Sequence, residues 1–389
     1  MDLIAAFQKH YSRPPILLAS APGRVNLLGE HVDYNEGPVL PAAIDRRVHL
    51  AAAPGLEGVV SLYALDLDSQ VSFRLDDLKD KKDSRSQPLP AWALYPAGVA
   101  WALQEAGLKI SGMQVAYSSD VPIGAGLSSS AAVEVGFAVL WQALDGWSAD
   151  RMTIARLCQR AENAYVGVAC GMMDQFASAH GVEGHALYFD TRSLEWKPVL
   201  LPAGSAIVIA DSGVRHSLAN SAYNERRASC EEAVKILQQF MPNVHSLRDV
   251  APTEFAAYSD QLPPIARNRA EHVVKEIARV QTAVTALRRS DARTFGALMF
   301  SGHASLRDLY EVSIPELDAL VDIARDSPGC LGARLTGAGF GGCTVNLVEE
   351  SKATDFIQSL VDGYQQTTGR LAQVYLCRAS QGATVEKTF

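Results

Sequence analysis

The sequence lacks the features that mark several large classes of protein. No apolar run in its 389 residues approaches the roughly 18 that a membrane-spanning helix needs. The six cysteines form no Cys-x-x-Cys pair and no zinc-type pattern with histidines, so neither a disulfide framework nor a structural zinc site is expected. Basic residues are not clustered and the net charge is −8, which argues against a nucleic-acid-binding surface. An early acid, Asp2, and the lack of a basic segment before an apolar one argue against a signal peptide.

What the sequence does contain is enough apolar material to build a large core. Hydrophobic residues make up 48% of the chain and charged residues 20%, a balance that favours folding over disorder. The length suits roughly two or three domains. Scattered thiols in a chain of this length are typical of a reducing compartment. We therefore expect a globular protein of the cytoplasm, with no nucleic-acid, membrane or obligatory protein partner.

Short apolar runs between turns predict strands, and longer runs with helical spacing predict helices. The predicted strands are residues 16–19, 39–43, 48–52, 59–64, 71–75, 205–210, 343–348 and 371–377. The predicted helices are residues 95–106, 128–144, a helix capped by Asp150, and residues 266–287, 291–306 and 354–363. A turn-prone segment at 202–204 separates two α+β halves, which we place at residues 1–203 and 204–389.

A first polar constellation occupies residues 22–37, directly after a predicted strand. It reads Pro-Gly-Arg-Val-Asn-Leu-Leu-Gly-Glu-His-Val-Asp-Tyr-Asn-Glu-Gly. Its side chains Arg24, Glu30, His31 and Asp33 combine donors with acceptors, as a polyhydroxylated ligand requires. A solvated loop is the alternative, but a polar cluster of this kind is costly to bury unless it has partners.

A second constellation is a run of small residues that leads into a predicted helix. The run consists of Gly124, Ala125, Gly126, Leu127, Ser128, Ser129 and Ser130. Small residues let the backbone approach a ligand, and the helix start offers unpaired N–H groups and a positive dipole end. The run therefore indicates phosphate binding, with the Ser130 hydroxyl as a candidate metal ligand. It is not a Walker A loop, because no Lys-Ser or Lys-Thr follows the glycines. A capped helix after a glycine turn is the alternative.

A third stretch, residues 336–342, fits the Gly-x-Gly-x-x-Gly pattern of dinucleotide-binding proteins. That pattern requires a helix directly after the glycines, whereas residues 343–348 have the composition of a strand. We therefore expect a hairpin-like glycine loop that makes room for a neighbouring segment. A dehydrogenase is the least favoured function.

Two acids stand out in the middle of the chain. Asp174 lies in an apolar, small-residue segment, 169–175, where its charge needs a partner. Glu162 lies beside the apolar stripe of the preceding helix. The alternatives are a helix-capping aspartate and a solvated glutamate on a helix face.

Together these motifs resemble those of the GHMP kinases, which include galactokinase, homoserine kinase, mevalonate kinase and phosphomevalonate kinase. Residues 23–35 are similar to the galactokinase signature, and residues 124–132 and 337–342 resemble the second and third motifs of the superfamily. Residues 170–175 and 215–223 are also similar to galactokinases. The motifs follow the family's order over nearly the whole chain. Val32 stands where threonine is usual, and Glu36 where glycine or aspartate is commoner.

The resemblance implies an α+β, two-domain GHMP kinase fold. Its N-terminal α/β and C-terminal α+β domains would hold ATP and a sugar in the cleft between them, and the last strand can return to the first domain. Residues implied to bind the sugar are Glu30, His31, Val32, Asp33, Gly171, Asp174 and Tyr223. Residues 124–130 would wrap the ATP phosphates, and Ser130 and Glu162 would bind Mg²⁺. Asp174 and Arg24 would catalyse phosphate transfer to the C1 hydroxyl of galactose.

Two other functions remain open. An N-acetylgalactosamine kinase would need extra room for the acetamido group at C2. A non-catalytic regulator built on this fold would need no catalytic residues. The presence of Asp174, Arg24, Ser130 and Glu162 favours an enzyme.

Overall fold

The computed structural model describes residues 2–215 and 219–387 of the chain. Residues 216–218, part of the segment that resembles galactokinases, lie outside the described residues. The strands are β1 (Leu17–Asn26), β2 (Pro38–Val39), β3 (Pro41–Pro54), β4 (Val59–Ala64), β5 (Ser69–Arg74), β6 (Met113–Ser119), β7 (His185–Asp190), β8 (Trp196–Leu200), β9 (Ser205–Asp211), β10 (Cys330–Thr336), β11 (Cys343–Glu349), β12 (Gln373–Cys377) and β13 (Thr384–Lys387). The α-helices are α1 (Leu3–Tyr11), α2 (Leu94–Glu105), α3 (Ser129–Asp145), α4 (Arg151–Arg160), α5 (Met173–His180), α6 (Ala219–Leu237), α7 (Pro252–Tyr258), α8 (Pro264–Arg288), α9 (Ala292–Ser305), α10 (Pro315–Asp326) and α11 (Ala353–Thr368).

The largest sheet has six strands in the order β13-β1-β3-β6-β4-β5. Only the β4–β6 pair is parallel among the described strands of this sheet. Successive residues of a strand face opposite sides. Leu50 of β3 accordingly packs in the core that includes residues of α2 to α5, whereas Ala51 packs with Phe7 of α1.

A second, antiparallel sheet has the order β10-β11-β9-β12. Ile207 and Ile209 of β9 pack in the core that contains residues of α8 and α9. Val208 and Ala210 face the other side, in a core with residues of α10 and α11. A small sheet, β2-β7-β8, completes the set. Strand β13 pairs with β1, so the end of the chain joins the sheet of the N-terminal half. The domain boundary at residues 203 and 204 remains our prediction.

Most of the predicted elements are present, with ends shifted by a few residues. The prediction of separate strands at 39–43 and 48–52 is wrong, because β3 runs unbroken through Pro41–Pro54. Polar residues interrupt the apolar pattern there, yet the strand continues because its backbone pairs with β1 at residues 41–43 and again from Arg47. Arg47 donates hydrogen bonds to Oγ of Ser20 and to the backbone oxygens of Gln381 and Gly382.

Two other predictions concern helices and loops. Asp150 caps α4 as expected, because its carboxylate accepts a hydrogen bond from the N–H of Thr153. The glycines at 337–342 join the antiparallel strands β10 and β11, which confirms the hairpin-like loop and removes the basis for a dehydrogenase. Within the described ranges, no helix is both long and apolar enough to cross a membrane.

Candidate active site

The glycine loops of the two halves of the chain lie against each other. A Cβ atom on Gly337 would lie 3.0 Å from the backbone oxygen of Gly126, and one on Gly342 would lie 3.1 Å from that of Ala125. Both positions also have φ values of +80° or more. Glycine is needed because a left-handed backbone and a close neighbour leave no room for a side chain. The neighbour for which the third stretch makes room is therefore the loop between β6 and α3.

Two cavities open beside these loops and share a wall. The smaller, of about 200 Å³, lies among the first polar motif and the segment before α5. The larger, of about 600 Å³, is lined by the loop before α3 and by Trp92, Tyr95 and Tyr117. Both cavities are lined by Arg24, Asp174, Gly337 and Ala338. Groups bound in the two cavities would therefore meet at Arg24 and Asp174.

Arg24 and Asp174 form a two-point ion pair at this shared wall. Nε of Arg24 donates to Oδ1 of Asp174 and Nη2 donates to Oδ2, each at 2.7 Å. Nη1 donates to the backbone oxygen of Gly126 at 2.6 Å. Burial lowers the pKa of Arg24, but the charge and hydrogen bonds of Asp174 outweigh this effect, so the pKa is raised. The planar guanidinium thus fixes the orientation of the carboxylate and remains charged.

Ser128 reaches the same carboxylate. A capped helix is the alternative interpretation of the run before α3, but Ser128, the N-cap residue, makes no capping hydrogen bond with its side chain. Its hydroxyl instead donates to Oδ2 of Asp174 at 2.5 Å. Asp174 is not a cap either, because it is the second residue of α5, whose N-cap residue is Met172.

Glu30 connects the first motif to the third loop. Its Oε1 accepts a hydrogen bond from the N–H of Gly337 and its Oε2 accepts one from Asn26, both at 2.8 Å. Burial raises the pKa of Glu30, and the positive charges of Arg334 and Arg24 partly oppose this effect. Each carboxylate oxygen keeps a lone pair that can accept a hydrogen bond from a hydroxyl group of a ligand.

His31 lines the smaller cavity as a neutral ring. Burial lowers the pKa of His31 to about 3. Nε2 lies 3.1 Å from the backbone oxygen of Ala338, and Nδ1 lies 2.9 Å from the hydroxyl of Tyr34. A carbonyl oxygen only accepts, so Nε2 carries the proton and Nδ1 accepts from Tyr34. That hydroxyl lies 2.7 Å from the hydroxyl of Tyr310. Both ring nitrogens are therefore already partnered, and His31 contributes its shape to the cavity.

Asp33, Gly171 and Tyr223 complete the polar part of this cavity. Asp33 stands at the start of a 3-10 turn, Asp33–Asn35, and its carboxylate lies against the Cα of Gly171. Burial and then the charge of Asp174 raise the pKa of Asp33 to about 7. Tyr223 reaches the cavity from α6. The structure thus assembles these groups from three distant parts of the chain.

Val32 and Glu36, the departures from the usual signature, point away from this cavity. The side chain of Val32 is fully buried in the apolar core, beside Gly37 and α8. Val32 lines neither cavity, and the contact with a sugar that the resemblance implies for it stays a prediction. Glu36 accepts a hydrogen bond from Nε of Arg192 at 2.6 Å in an exposed ion pair.

Glu162 lies at the smaller cavity, within hydrogen-bond reach of Ser130 at the start of α3. It belongs to a π-helical turn, Ala161–Val166, that follows α4, and it lines the smaller cavity. Burial and then the charge of Asp174 raise the pKa of Glu162 to about 7, while hydrogen bonds from Cys170, Gln175 and Ser130 lower it. Among the described residues, no lysine or arginine is one of the main causes of this shift in the pKa of Glu162.

A magnesium ion fits this environment. Mg²⁺ prefers hard oxygen ligands, and a carboxylate with a nearby hydroxyl and no cationic partner supplies them. The residues that the structure describes include no cluster of three or more His, Cys, Asp or Glu arranged to hold a metal. Ser130 and Glu162 would therefore share the ion with oxygens of a phosphate ligand.

Several residues at the site carry no signal in the sequence. Glu134 lies in a segment whose pattern predicts only a helix, and Tyr310 lies outside the predicted helices and strands. The proximity of both residues to the cavities depends on tertiary packing. Gln175 follows Asp174 directly in the sequence, and this adjacency is a signal that places it near the site. The aromatic side chains of the larger cavity likewise read as ordinary core residues.

Comparisons with known proteins agree with this geometry. Three family models match: the galactokinase galactose-binding signature at residues 5–54, the GHMP kinases N terminal domain at 95–182, and the GHMP kinases C terminal domain at 283–366. A galactokinase from Roseiflexus sp. (strain RS-1) is 47% identical over 98% of this chain and 96% of its own. The Homo sapiens galactokinase is 44% identical over 98% of this chain and 95% of its own.

Solved structures of a galactokinase and of a mevalonate kinase also match this chain. The crystal structure of Lactococcus lactis galactokinase complexed with galactose matches with a TM-score of 0.92 and 33% identity, covering 98% of both chains. Methanococcus jannaschii mevalonate kinase matches with a TM-score of 0.67 and 19% identity over 95% of this chain and 100% of its own, a likeness of fold alone.

A cleft lined by two opposed glycine loops, on a fold matched by both domain models, defines a GHMP kinase. Within that class, the signature at residues 5–54 and the full-length relatives distinguish one enzyme from the others. The chain belongs to the galactokinase family, whose members are ATP-dependent sugar kinases.

Proposed function

We propose that this protein transfers the γ-phosphate of ATP to the C1 hydroxyl of D-galactose, giving galactose 1-phosphate and ADP. The observation that carries the proposal is the Arg24–Asp174 pair in the wall shared by the two cavities. A sugar in the smaller cavity and a triphosphate in the larger one would meet at this pair. The match to a galactokinase solved with galactose supports the choice of sugar.

The smaller cavity offers the groups that a hexose needs. Glu30, Asp33 and Tyr223 present oxygens to the non-reacting hydroxyls, and Gly171 lets the chain pass close to them. A site whose polar groups each require a hydroxyl partner discriminates strongly against sugars that leave one of them unpaired. His31 shapes the cavity through its ring.

Asp174 is proposed to orient the C1 hydroxyl and to accept its proton as the bond to phosphorus forms. The two hydrogen bonds from Arg24 hold the carboxylate in position. Arg24 also carries positive charge to the side of the transferring phosphoryl group. Phosphoryl transfer depends mainly on positioning and on neutralising the charge of a loose transition state, which these two residues provide.

The larger cavity is proposed to hold ATP. Backbone N–H groups of residues 124–130 at the start of α3 would bind its phosphates. Ser130 and Glu162 are proposed to hold Mg²⁺, which when bound neutralises charge on the phosphate oxygens. We place the protein in the cytoplasm, where ATP is available. All six cysteines lie in the described ranges as free thiols, as a reducing compartment maintains them.

A coupled assay of ADP release with ATP, Mg²⁺ and a panel of sugars tests the function. We expect the highest kcat/KM with D-galactose, and far lower values with D-glucose and N-acetylgalactosamine. A higher kcat/KM with N-acetylgalactosamine would instead identify the related sugar kinase. Tight binding of galactose and ATP without ADP release from any sugar would identify a non-catalytic regulator.

A further inference from the structure

Behind Glu162 lies a buried polar pair that the reaction itself does not use. Glu134 is on α3, one helical turn after Ser130, and Gln175 is on α5, directly after Asp174. Both side chains are fully buried. Nε2 of Gln175 donates to Oε2 of Glu162 at 2.6 Å and to Oε2 of Glu134 at 3.0 Å.

The carboxyl groups determine how the Gln175 amide is oriented. An amide nitrogen has two hydrogens, and two carboxyl oxygens are acceptors, so the NH₂ group must face both acids. Oε1 of Gln175 and Oε1 of Glu134 then have no hydrogen-bond partner among the described residues. An unpaired buried oxygen is costly, so this arrangement needs an explanation beyond packing.

Glu134 serves as an anchor for that amide. Oε2 of Glu134 accepts one hydrogen of the Gln175 amide at 3.0 Å, and the other hydrogen is directed to Glu162. Burial and then the charge of Glu162 raise the pKa of Glu134 well above its ordinary value.

We propose that Gln175, anchored by Glu134, is a positioning residue that holds the Glu162 carboxylate in its metal-binding orientation. Two donors, Gln175 and the thiol of Cys170, converge on Oε2 of Glu162. This leaves Oε1 as the oxygen that turns toward a cation. Groups that hydrogen-bond a metal ligand in this way set its orientation, and losing one typically costs about 10–100-fold in metal affinity. The inference rests on the proposed function, in which Ser130 and Glu162 hold Mg²⁺.

The test is calorimetric titration of ADP into the full-length protein, in excess Mg²⁺ and in EDTA. The ratio of the two affinities measures the contribution of the metal without requiring turnover. Gln175→Met nearly preserves volume but removes both hydrogen bonds. We expect it to reduce this ratio by about 10–100-fold. The affinity for galactose and for ADP in EDTA should not change.

Two further variants complete the test. Gln142→Met is the matched control, because Gln142 donates only a long hydrogen bond, at 3.4 Å, to the backbone oxygen of Ala149 far from the cavities. It should leave the ratio unchanged. Glu134→Gln keeps an acceptor oxygen in a side chain of the same shape, so it should retain most of the metal effect. This variant also serves if Gln175→Met does not fold.

The outcomes separate this inference from the proposed function. A wild-type protein whose ADP affinity does not depend on Mg²⁺ would overturn the proposed metal site, and the inference with it. If Glu162→Gln abolishes the metal effect while Gln175→Met only lowers the melting temperature, the positioning role alone is overturned. A loss of the metal effect in Glu134→Gln as large as that in Glu162→Gln would overturn the role of Glu134 as a hydrogen-bond acceptor that anchors Gln175.

Discussion

A Cβ atom on Gly171 would lie only 1.7 Å from Oδ2 of Asp33. The carboxylate of the first motif therefore occupies the space where any other residue at position 171 would carry its side chain. Glycine is required at position 171 for space alone, since the φ angle of Gly171 is not positive. This contact couples two segments that lie far apart in the sequence and that both line the smaller cavity.

Gly171→Ala should therefore weaken galactose binding. The added methyl group must displace Asp33, and forcing atoms into a packed site typically costs about 1–3 kcal/mol. That cost corresponds to roughly 5–150-fold in the affinity for galactose. KM for ATP should change much less, because Gly171 does not line the larger cavity. Steady-state kinetics with each substrate varied in turn measure both effects.

Gly184→Ala is the control for this substitution. It adds the same methyl group in a turn with φ of +72°, where a Cβ would meet nothing within 4 Å. Some loss of stability is expected, but KM for galactose should stay at the wild-type value. Equal KM values for galactose in Gly171→Ala and the wild type would contradict the proposed place of Asp33 in the sugar site.

Galactose binding should depend on pH through Asp33. Its pKa is raised from 3.8 to about 7 by burial and by Asp174. If the ionised carboxylate accepts a sugar hydroxyl, affinity is full above pH 7 and falls as pH drops below about 7, where the group becomes protonated. Calorimetry with galactose alone avoids any contribution from the metal site. In Asp33→Asn the affinity should be lower and this pH dependence should be absent.

The stability of the folded protein should also depend on pH through Asp33, but it should fall as pH rises, whereas galactose affinity should increase. In the unfolded chain Asp33 titrates at its ordinary pKa of 3.8, whereas in the folded protein it holds its proton up to about pH 7. The folded state therefore binds the proton more tightly, and this contribution to stability is lost as pH rises through 7. Without ligands, Asp33→Asn should melt at a higher temperature than the wild type at pH 8. The difference should shrink at pH 5.

Asp174→Asn should fold and bind galactose but transfer phosphate very slowly. The substitution is nearly isosteric but removes the charge that pairs with Arg24, and general-base assistance is typically worth about 10²–10⁴-fold in rate. Steady-state measurements with saturating galactose and ATP report kcat directly. If Asp174→Asn kept more than about a tenth of the wild-type kcat, the loss would be too small for the role assigned to Asp174.

Glu162→Gln should lower activity by weakening the functional binding of Mg²⁺. The amide keeps the shape of the side chain but loses the charge that attracts the cation. Raising the Mg²⁺ concentration should therefore recover part of the rate. Glu57→Gln, at an exposed position outside both cavities, is the control. A wild-type Mg²⁺ titration curve and rate for Glu162→Gln would remove this residue from the metal site.

The sequence by itself determined the family and most of the fold. Periodicity located the long helices α8 and α9 and the strand β9, and the absence of a helical pattern after residue 342 excluded a dinucleotide fold. The signature at residues 23–35 and the glycine loops were sufficient to predict a sugar kinase. These features are readable because they depend on neighbours along the chain.

Only the tertiary structure decided which groups meet and what state they are in. It turned the Ser128 hydroxyl from a helix cap into a partner of Asp174, and it placed Val32 in the core. It also brought Glu134 and Gln175 behind Glu162. Burial there raises the pKa of Glu134 and of Glu162. Hydrogen-bond partners and desolvation are set by residues distant in the sequence, so no local pattern encodes them.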